Sequence, residues 1–284
     1  MMPSPLVSVI CLSYNHASFV EEAIRSILDQ TYSEVELIVV DDASTDNSVS
    51  VIENIITQNG DIKFIKLNRN VGNCTAFNIG FAQSRGEFVI DFAADDVLLP
   101  QRIEEGVNAL MEAGSEFGVQ FSDAAIIDKS GDALGFHSDK YPHSSIPQGD
   151  IYKEVIHRYF ICGASMLVRR EVMEMLNGYD EKLAYEDFDF WVRSARRYKY
   201  LYLPKVMVKK RVLKDSMVSR QFIKGSSQLR STYEVCRKIN SLNETEEEDK
   251  ALRSRIRYEI KVCLLLFDFS LAADYFRLLR EVSV

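Results

Sequence analysis

VSVICLSYNHASFVEEAIRSILDQTYSEVELIVVDDAS, residues 7–44, decides the fold. Two runs of aliphatic and β-branched residues, VSVICL (7–12) and VELIVV (35–40), flank a segment in which Phe19, Val20, Ala23, Ile24, Ile27 and Leu28 recur at helical spacing. Both runs are nearly continuous in apolar residues, so each is expected to be a strand covered on both faces. Ser18 and Glu21 have the spacing of a capping box before the helix. Outward from this unit the pattern repeats. Ser44 and Thr45 are expected to cap a helix carrying Val49, Ile52, Ile55 and Ile56. IKFIKL (62–67) reads as a third strand, Gly72 to Gln83 as a helix, and EFVIDF (87–92) as a fourth strand. Strands alternating with helices predict an α/β fold with a mostly parallel, doubly wound sheet.

Ligands of such sheets bind beyond the carboxyl ends of the strands. Strand one ends in Ser13-Tyr14-Asn15, strand two in Asp41-Asp42-Ala43-Ser44 and strand four in Ala93-Ala94-Asp95-Asp96. Adjacent carboxylates repel unless a cation lies between them or one takes up a proton. Two acid pairs at one sheet edge therefore point to a ligand site. Asp42 is placed to accept from a base N–H or a ribose hydroxyl, with Asp41 as a turn acid supporting it. An acid here also suits NAD or S-adenosylmethionine enzymes, but SYNHAS stands where their G-x-G-x-x-G would follow the first strand.

The second half has a different rhythm. FGVQFSD (117–123) reads as a strand, AIIDKSGDALGF (125–136) as a hairpin and 151–160 as a helix. In 177–198, Phe188, Trp191 and Val192 mark a helix with Glu186 and Asp187 near its start. YLYLPKVMVKKRV follows as a strand, and 221–284 is mostly helical, with NETEEED (243–249) expected as a solvated acidic turn.

The 284 residues suffice for one large domain or two small ones. A net charge of −8 argues against a general nucleic-acid-binding surface. Five cysteines without C-x-x-C spacing read as buried thiols, and four histidines without an H-x-x-x-H pair argue against a histidine-rich metal centre. The N-terminus lacks a basic segment before its short apolar run, and no run reaches the roughly 18 apolar residues of a membrane span. The expected location is the cytoplasm.

Five blocks, in order, resemble the inverting glycosyltransferases of family 2: residues 8–46, NRNVGNCTAFNIGFAQSRGEFV, FAADDVLLP, CGASMLVRREV and GYDEKLAYEDFDFWVR. The resemblance runs from about residue 6 to about residue 216. It implies a GT-A (Rossmann-like) domain over 1–220, with a nucleotide-binding half (1–100) and an acceptor half (101–220), and a helical extension over 221–284. It also implies transfer from a nucleotide-sugar donor, a UDP-sugar as first choice, to a saccharide or lipid-linked saccharide acceptor in surface glycan synthesis. In that reading Tyr14, Asp41, Asp42 and Asp95 contact the donor nucleotide, and Asp95 and Asp96 hold Mn²⁺ or Mg²⁺. Asp187 is the catalytic base and Glu186 positions the acceptor, while Asp189 and Trp191 support the site. Two positions depart from the family pattern. Ala93 stands where the metal motif usually begins with Asp, and Leu213 where a metal-binding His is common. These departures motivate an alternative, a catalytically silent sugar-nucleotide-binding protein. Lys209, Lys210, Arg211 and Lys214 are candidates to neutralise the diphosphate. The tail, with Arg253, Arg255, Arg257 and Lys261 beside VCLLLF, is expected to pack on the core or dimerise, with peripheral contact at the inner membrane face as the other reading.

Overall fold

Strands β1 (Val7–Ser13), β2 (Val35–Asp41), β3 (Ile62–Lys66) and β4 (Phe88–Ala93) run parallel in the order β3-β2-β1-β4. The computed structural model describes residues 4–141, 145–213 and 223–282. Alternate residues of these strands enter two separate cores. Val7, Val9 and Cys11 of β1 join Phe88, Ile90 and Phe92 of β4 on one face. That face is covered by α1 (Val20–Leu28), α2 (Ser48–Asn59) and α4 (Arg102–Ala113). Ile10 and Leu12 join Val89 on the other, beneath α3 (Asn73–Phe81) and α7 (Asp187–Ala195). Burial on both faces is what the continuous apolar runs require.

Beyond β4 the sheet becomes mixed, continuing β4-β8-β6-β9-β5 with β7 paired to β6. β8 (Leu167–Arg169) is antiparallel to both β4 and β6 (Phe117–Ile127). β9 (Lys199–Arg211) runs parallel to β6, and β5 (Val97–Leu98) lies antiparallel to β9. β7 (Ala133–Phe136) closes the expected hairpin. The short helices α5 (Tyr152–His157) and α6 (Arg170–Leu176) complete this half.

The chain ends in α8 (Ser227–Leu242), α9 (Glu246–Leu265) and α10 (Phe269–Glu281). Their buried residues, among them Val235, Ile256 and Leu271, belong to the same apolar cluster as Phe188 and Trp191 of α7. All five cysteines are free and buried. Among the described residues no helix is long and apolar enough to cross a membrane.

Three local expectations are corrected. Ser18 does not cap α1, which begins at Val20 with no side-chain cap. The preceding turn closes Phe19 N–H onto His16 O (2.8 Å), leaving Ser18 outside the cap position. Ser44 and Thr45 do not cap α2, which begins at Ser48. The Asp41 carboxylate draws Ser44 away (Oγ–Oδ2 2.6 Å), and Asn15 accepts from the Thr45 N–H (2.8 Å). NETEEED is not a free acidic turn. Thr245 and Glu248 form a capping box, and Glu246 to Asp249 fill the first turn of α9, where the helix dipole favours acids.

Candidate active site

The strand register brings the predicted edge together. Ser13 pairs with Asp41 and Leu12 with Ala93, so β1, β2 and β4 end side by side. At the β1–β2 end Tyr14 is exposed, and Asp41 and Asp42 are buried. Asp41 is engaged locally, accepting from Ser44 N–H (2.8 Å) and Ser44 Oγ. Asp42 grips the next loop, its two oxygens accepting from Val71 N–H (2.7 Å) and Gly72 N–H (2.9 Å). Gly72 has φ +86°, which glycine alone adopts freely, and α3 starts immediately after it. Asp42 thereby fixes the N-terminal end of α3, whose first residue, Asn73, opposes the rise of the Glu186 carboxyl.

The Asp95–Asp96 pair lies between β4 and β5, against the end of β9, where Val97 pairs with Lys209. Asp96 is buried, and its Oδ1 accepts the Arg211 backbone N–H (2.8 Å). The buried Arg211 guanidinium ties this corner together: Nε donates to Asp95 O (2.9 Å), Nη1 to Asp128 O (3.1 Å), and Nη2 to Glu22 (2.8 Å). Burial, and then the Asp95 charge, push the Asp96 carboxyl up to about 7. The Lys210 ammonium is held above its ordinary value by Cys162 first, then by Asp187, Asp96 and Asp95, against the cost of burial. Burial pushes the Cys162 thiol itself up to about 11, so it is neutral near pH 7, and the three carboxylates are the charges this ammonium meets.

Asp187 opens α7 and Glu186 precedes it. Asp187 leans on Gly163, where a methyl group would lie 2.4 Å from Oδ1, so only a bare Cα permits this approach. Burial raises the Asp187 carboxyl, with Lys210 opposing. Glu186 rises to about 7 through burial and then the Asp187 charge, and its buried Oε2 has no partner among the described residues. Ser13 Oγ and His16 Nδ1, at the end of β1, are likewise buried without a partner among the described residues. Asp91 shares the Val89 face of β4. It is raised well above the carboxylate range by burial and by Glu186, with Tyr179 opposing.

Of the predicted residues, Asp95, Asp96, Glu186 and Asp187 therefore share one electrostatic cluster with Lys210. Tyr14, Asp41 and Asp42 form the neighbouring strand ends. Asp189 is buried and paired with Arg193 and Lys238 (both 2.6 Å), and Trp191 donates to Met166 Sδ (3.3 Å). These contacts support the α7 scaffold. Lys209 is exposed, Leu213 is partly buried, and Lys214 lies outside the described residues. Asp91, Asn73 and Gly163 also belong to this neighbourhood; Asp91 is conspicuous in the sequence as the lone acid inside EFVIDF, but nothing there gives it, Asn73 or Gly163 a role.

The family model described as glycosyl transferase family 2 matches residues 8–176. The chain is 31% identical over 225 residues to the uncharacterised glycosyltransferase MJ1057 of Methanocaldococcus jannaschii, covering 77% of this chain and 75% of that one. Among solved structures it is similar to S. aureus TarS 1–349 in complex with UDP-GlcNAc, with a TM-score of 0.76 and 17% identity, over 98% of this chain and 82% of that one. It is also similar to the mannosyltransferase PcManGT from Pyrobaculum calidifontis in complex with GDP-Man and Mn²⁺, with a TM-score of 0.66 and 18% identity, over 99% and 84%. At these identities the structural likeness carries the fold alone.

Proposed function

The chain belongs to glycosyl transferase family 2, and on that premise we propose that it moves a sugar from a nucleoside diphosphate donor to a hydroxyl acceptor with inversion. A UDP-sugar is the first candidate donor, and a saccharide or lipid-linked saccharide of a surface glycan the acceptor. Residues 1–100 bind the donor and 101–220 the acceptor. The observation that carries the reading is Asp187, held against Gly163 and within electrostatic reach of Lys210, the same ammonium that Asp95 and Asp96 influence.

In this mechanism the acceptor oxygen attacks the anomeric carbon from the side opposite the diphosphate. The bond to the diphosphate breaks, and the acceptor proton passes to Asp187. A carboxylate raised by burial is a stronger base than a solvated one. Glu186 orients the acceptor hydroxyl. Lys210 lies where it can meet negative charge developing on the leaving group. Tyr14, exposed at the end of β1, offers a face for the base.

Asp95 and Asp96 fit a hard divalent cation. They are adjacent oxygen donors, and the Asp95 charge is part of what holds a proton on Asp96. Among the described residues no three His, Cys, Asp or Glu side chains are grouped to hold a metal. Donor phosphates and waters would complete the shell of Mg²⁺ or Mn²⁺. Such an ion supplies charge neutralisation on the departing diphosphate.

The test is a melting series with UDP, GDP, dTDP, NAD and S-adenosylmethionine, each with and without Mn²⁺. A nucleoside diphosphate at 100 times its dissociation constant should stabilise by about 2.7 kcal/mol. Stabilisation by NAD alone would refute the assignment. Asp187→Asn should then lower kcat by ~10²–10⁴-fold and leave donor affinity unchanged. Ala93 and Leu213 favour a second reading, a silent sugar-nucleotide binder. That protein would show the same melting shifts with neither transfer nor donor hydrolysis.

A further inference from the structure

The turn joining α9 to α10 exposes four large apolar side chains within six residues. Leu265 is 78% exposed, Phe267 67%, Phe269 63% and Leu264 42%. The turn is built to keep them there. Phe267 sits at φ +56°, a left-handed position that usually falls to glycine or asparagine. Asp268 N–H closes onto Cys263 O (2.8 Å), and the Asp268 carboxylate caps α10 through Leu271 N–H (3.1 Å). The rings of Phe267 and Phe269 meet edge to face at 6.3 Å. This is an ordered apolar tip, where a water-facing turn would normally be polar.

Its flanks are basic. Arg257, Tyr258, Lys261, Leu264 and Leu265 are exposed along one face of α9, at the spacing of an amphipathic stripe. Phe276, Arg277 and Arg280 are exposed on α10. Arg277 pairs with Asp274, but among the described residues Arg257, Lys261 and Arg280 make no ion pair. Exposed cations interleaved with exposed aromatic and aliphatic side chains stand out in a chain of net charge −8.

We propose that the α9–α10 turn docks on a bilayer rich in anionic phospholipid. Leu264, Leu265, Phe267 and Phe269 enter the headgroup boundary, and Lys261 and Arg257 meet the phosphates. Interfacial helices of this composition bury their apolar face only ~5–10 Å deep, which suits a tip four side chains wide. A bilayer fits better than a second copy of the chain. Two-fold pairing of this stripe would press its unpaired cations together, whereas an anionic surface answers every one of them. The opposite face of α9 is fixed to the protein: Arg255 pairs with Glu259 (2.7 Å) and stacks on Phe188 of α7 (4.6 Å). Docking would therefore set the orientation of the whole molecule at the surface.

The test uses the full chain with vesicles of phosphatidylcholine, alone or with phosphatidylglycerol. The wild type should sediment with the anionic vesicles only, and high salt should release it. Leu265→Asn/Phe267→Asn should lower the partition coefficient by at least tenfold per side chain removed. Asparagine tolerates the left-handed position, so the melting temperature should hold. Arg257→Gln/Lys261→Gln should cost about fivefold per charge. Absence of binding to anionic vesicles overturns the proposal, and so does binding that these variants leave unchanged. Light scattering without lipid supplies the remaining arm. A wild-type dimer that Leu265→Asn/Phe267→Asn converts to monomer would make this face a contact between copies and also overturn it.

Discussion

Gly163→Ala isolates the placement of Asp187 from its chemistry. The new methyl carbon would lie 2.4 Å from Asp187 Oδ1, 3.1 Å from Cγ and 3.1 Å from Oδ2. Real contacts of this kind begin at roughly 3.0–3.4 Å, so Oδ1 must retreat by about 0.6–1 Å. Gly163 lies outside the left-handed region, so alanine costs the backbone nothing. The carboxylate is the movable partner, and it turns away from the acceptor position. A displacement near 1 Å costs on the order of 10²-fold in rate, or about 2.7 kcal/mol of transition-state stabilisation. The assay is nucleoside diphosphate release at saturating donor and acceptor, with donor affinity measured separately by calorimetry. The expected result is a fall of ~30–100-fold in kcat, with donor affinity and melting temperature close to wild type. The double variant Gly163→Ala/Asp187→Asn should be no slower than Asp187→Asn alone, because both changes remove one interaction. Full kcat in Gly163→Ala, or additive losses in the double variant, would show that the proton goes elsewhere.

Changing Asp95 and Asp96 together to Ala should abolish the Mn²⁺ dependence of donor-induced melting shifts, and an unaltered dependence would reduce the pair to a turn. Asp96 and Glu186, both raised to about 7, hold protons in the folded chain that the unfolded chain releases near pH 4–5. Their contribution is complete below that range and is lost as pH rises through 7. Stability of the wild type relative to Asp96→Asn should therefore fall between pH 5 and pH 8, while the stabilisation added by Mn²⁺ should grow; a flat difference would remove the raised carboxyl. Asp42→Ala should lower the melting temperature even without ligand. It loses two carboxylate–backbone hydrogen bonds worth about 3 kcal/mol together, or roughly 6–12 °C in a chain of this size, and a thermally silent variant would mean the 71–72 loop is held by other contacts.

The parallel half of the fold was legible because strands buried on both faces must read as unbroken apolar runs. The mixed half was less so. β8 has three residues and β5 two, too short for either period to register. The failed caps have a common cause. Ser44 had the composition of a helix start, but the Asp41 carboxylate three residues back offered it a closer partner. At the site, paired acids at strand ends were visible as residue types, and their present partners were not. Asp42 spends both oxygens on the 71–72 backbone, a contact spanning 29 and 30 residues of chain. Lys210 looked like one cation in a charge run. Strand alternation turns Lys209 out and Lys210 in, but facing cannot be read from a run of three cations.

The helices after residue 226 explain why the acidic block can stand where it does. Placing Asp91, Glu186 and Asp187 together strains the fold by like-charge repulsion and burial, so the segment carrying two of them must be held from outside. Tyr185, immediately before Glu186, is fixed by its hydroxyl to Thr232 of α8 (2.7 Å), and Ala184 N–H donates to Ser231 Oγ (2.8 Å). Lys238 of α8 reaches Asp180 and Asp189 (both 2.6 Å), on either side of the block. Arg255 of α9 stacks on Tyr159 (4.2 Å) and on Phe188, the residue after Asp187. A buried guanidinium between two rings resists displacement, because moving it would expose Glu259 as an unpaired buried charge. The C-terminal helices therefore act as the outer wall of the site.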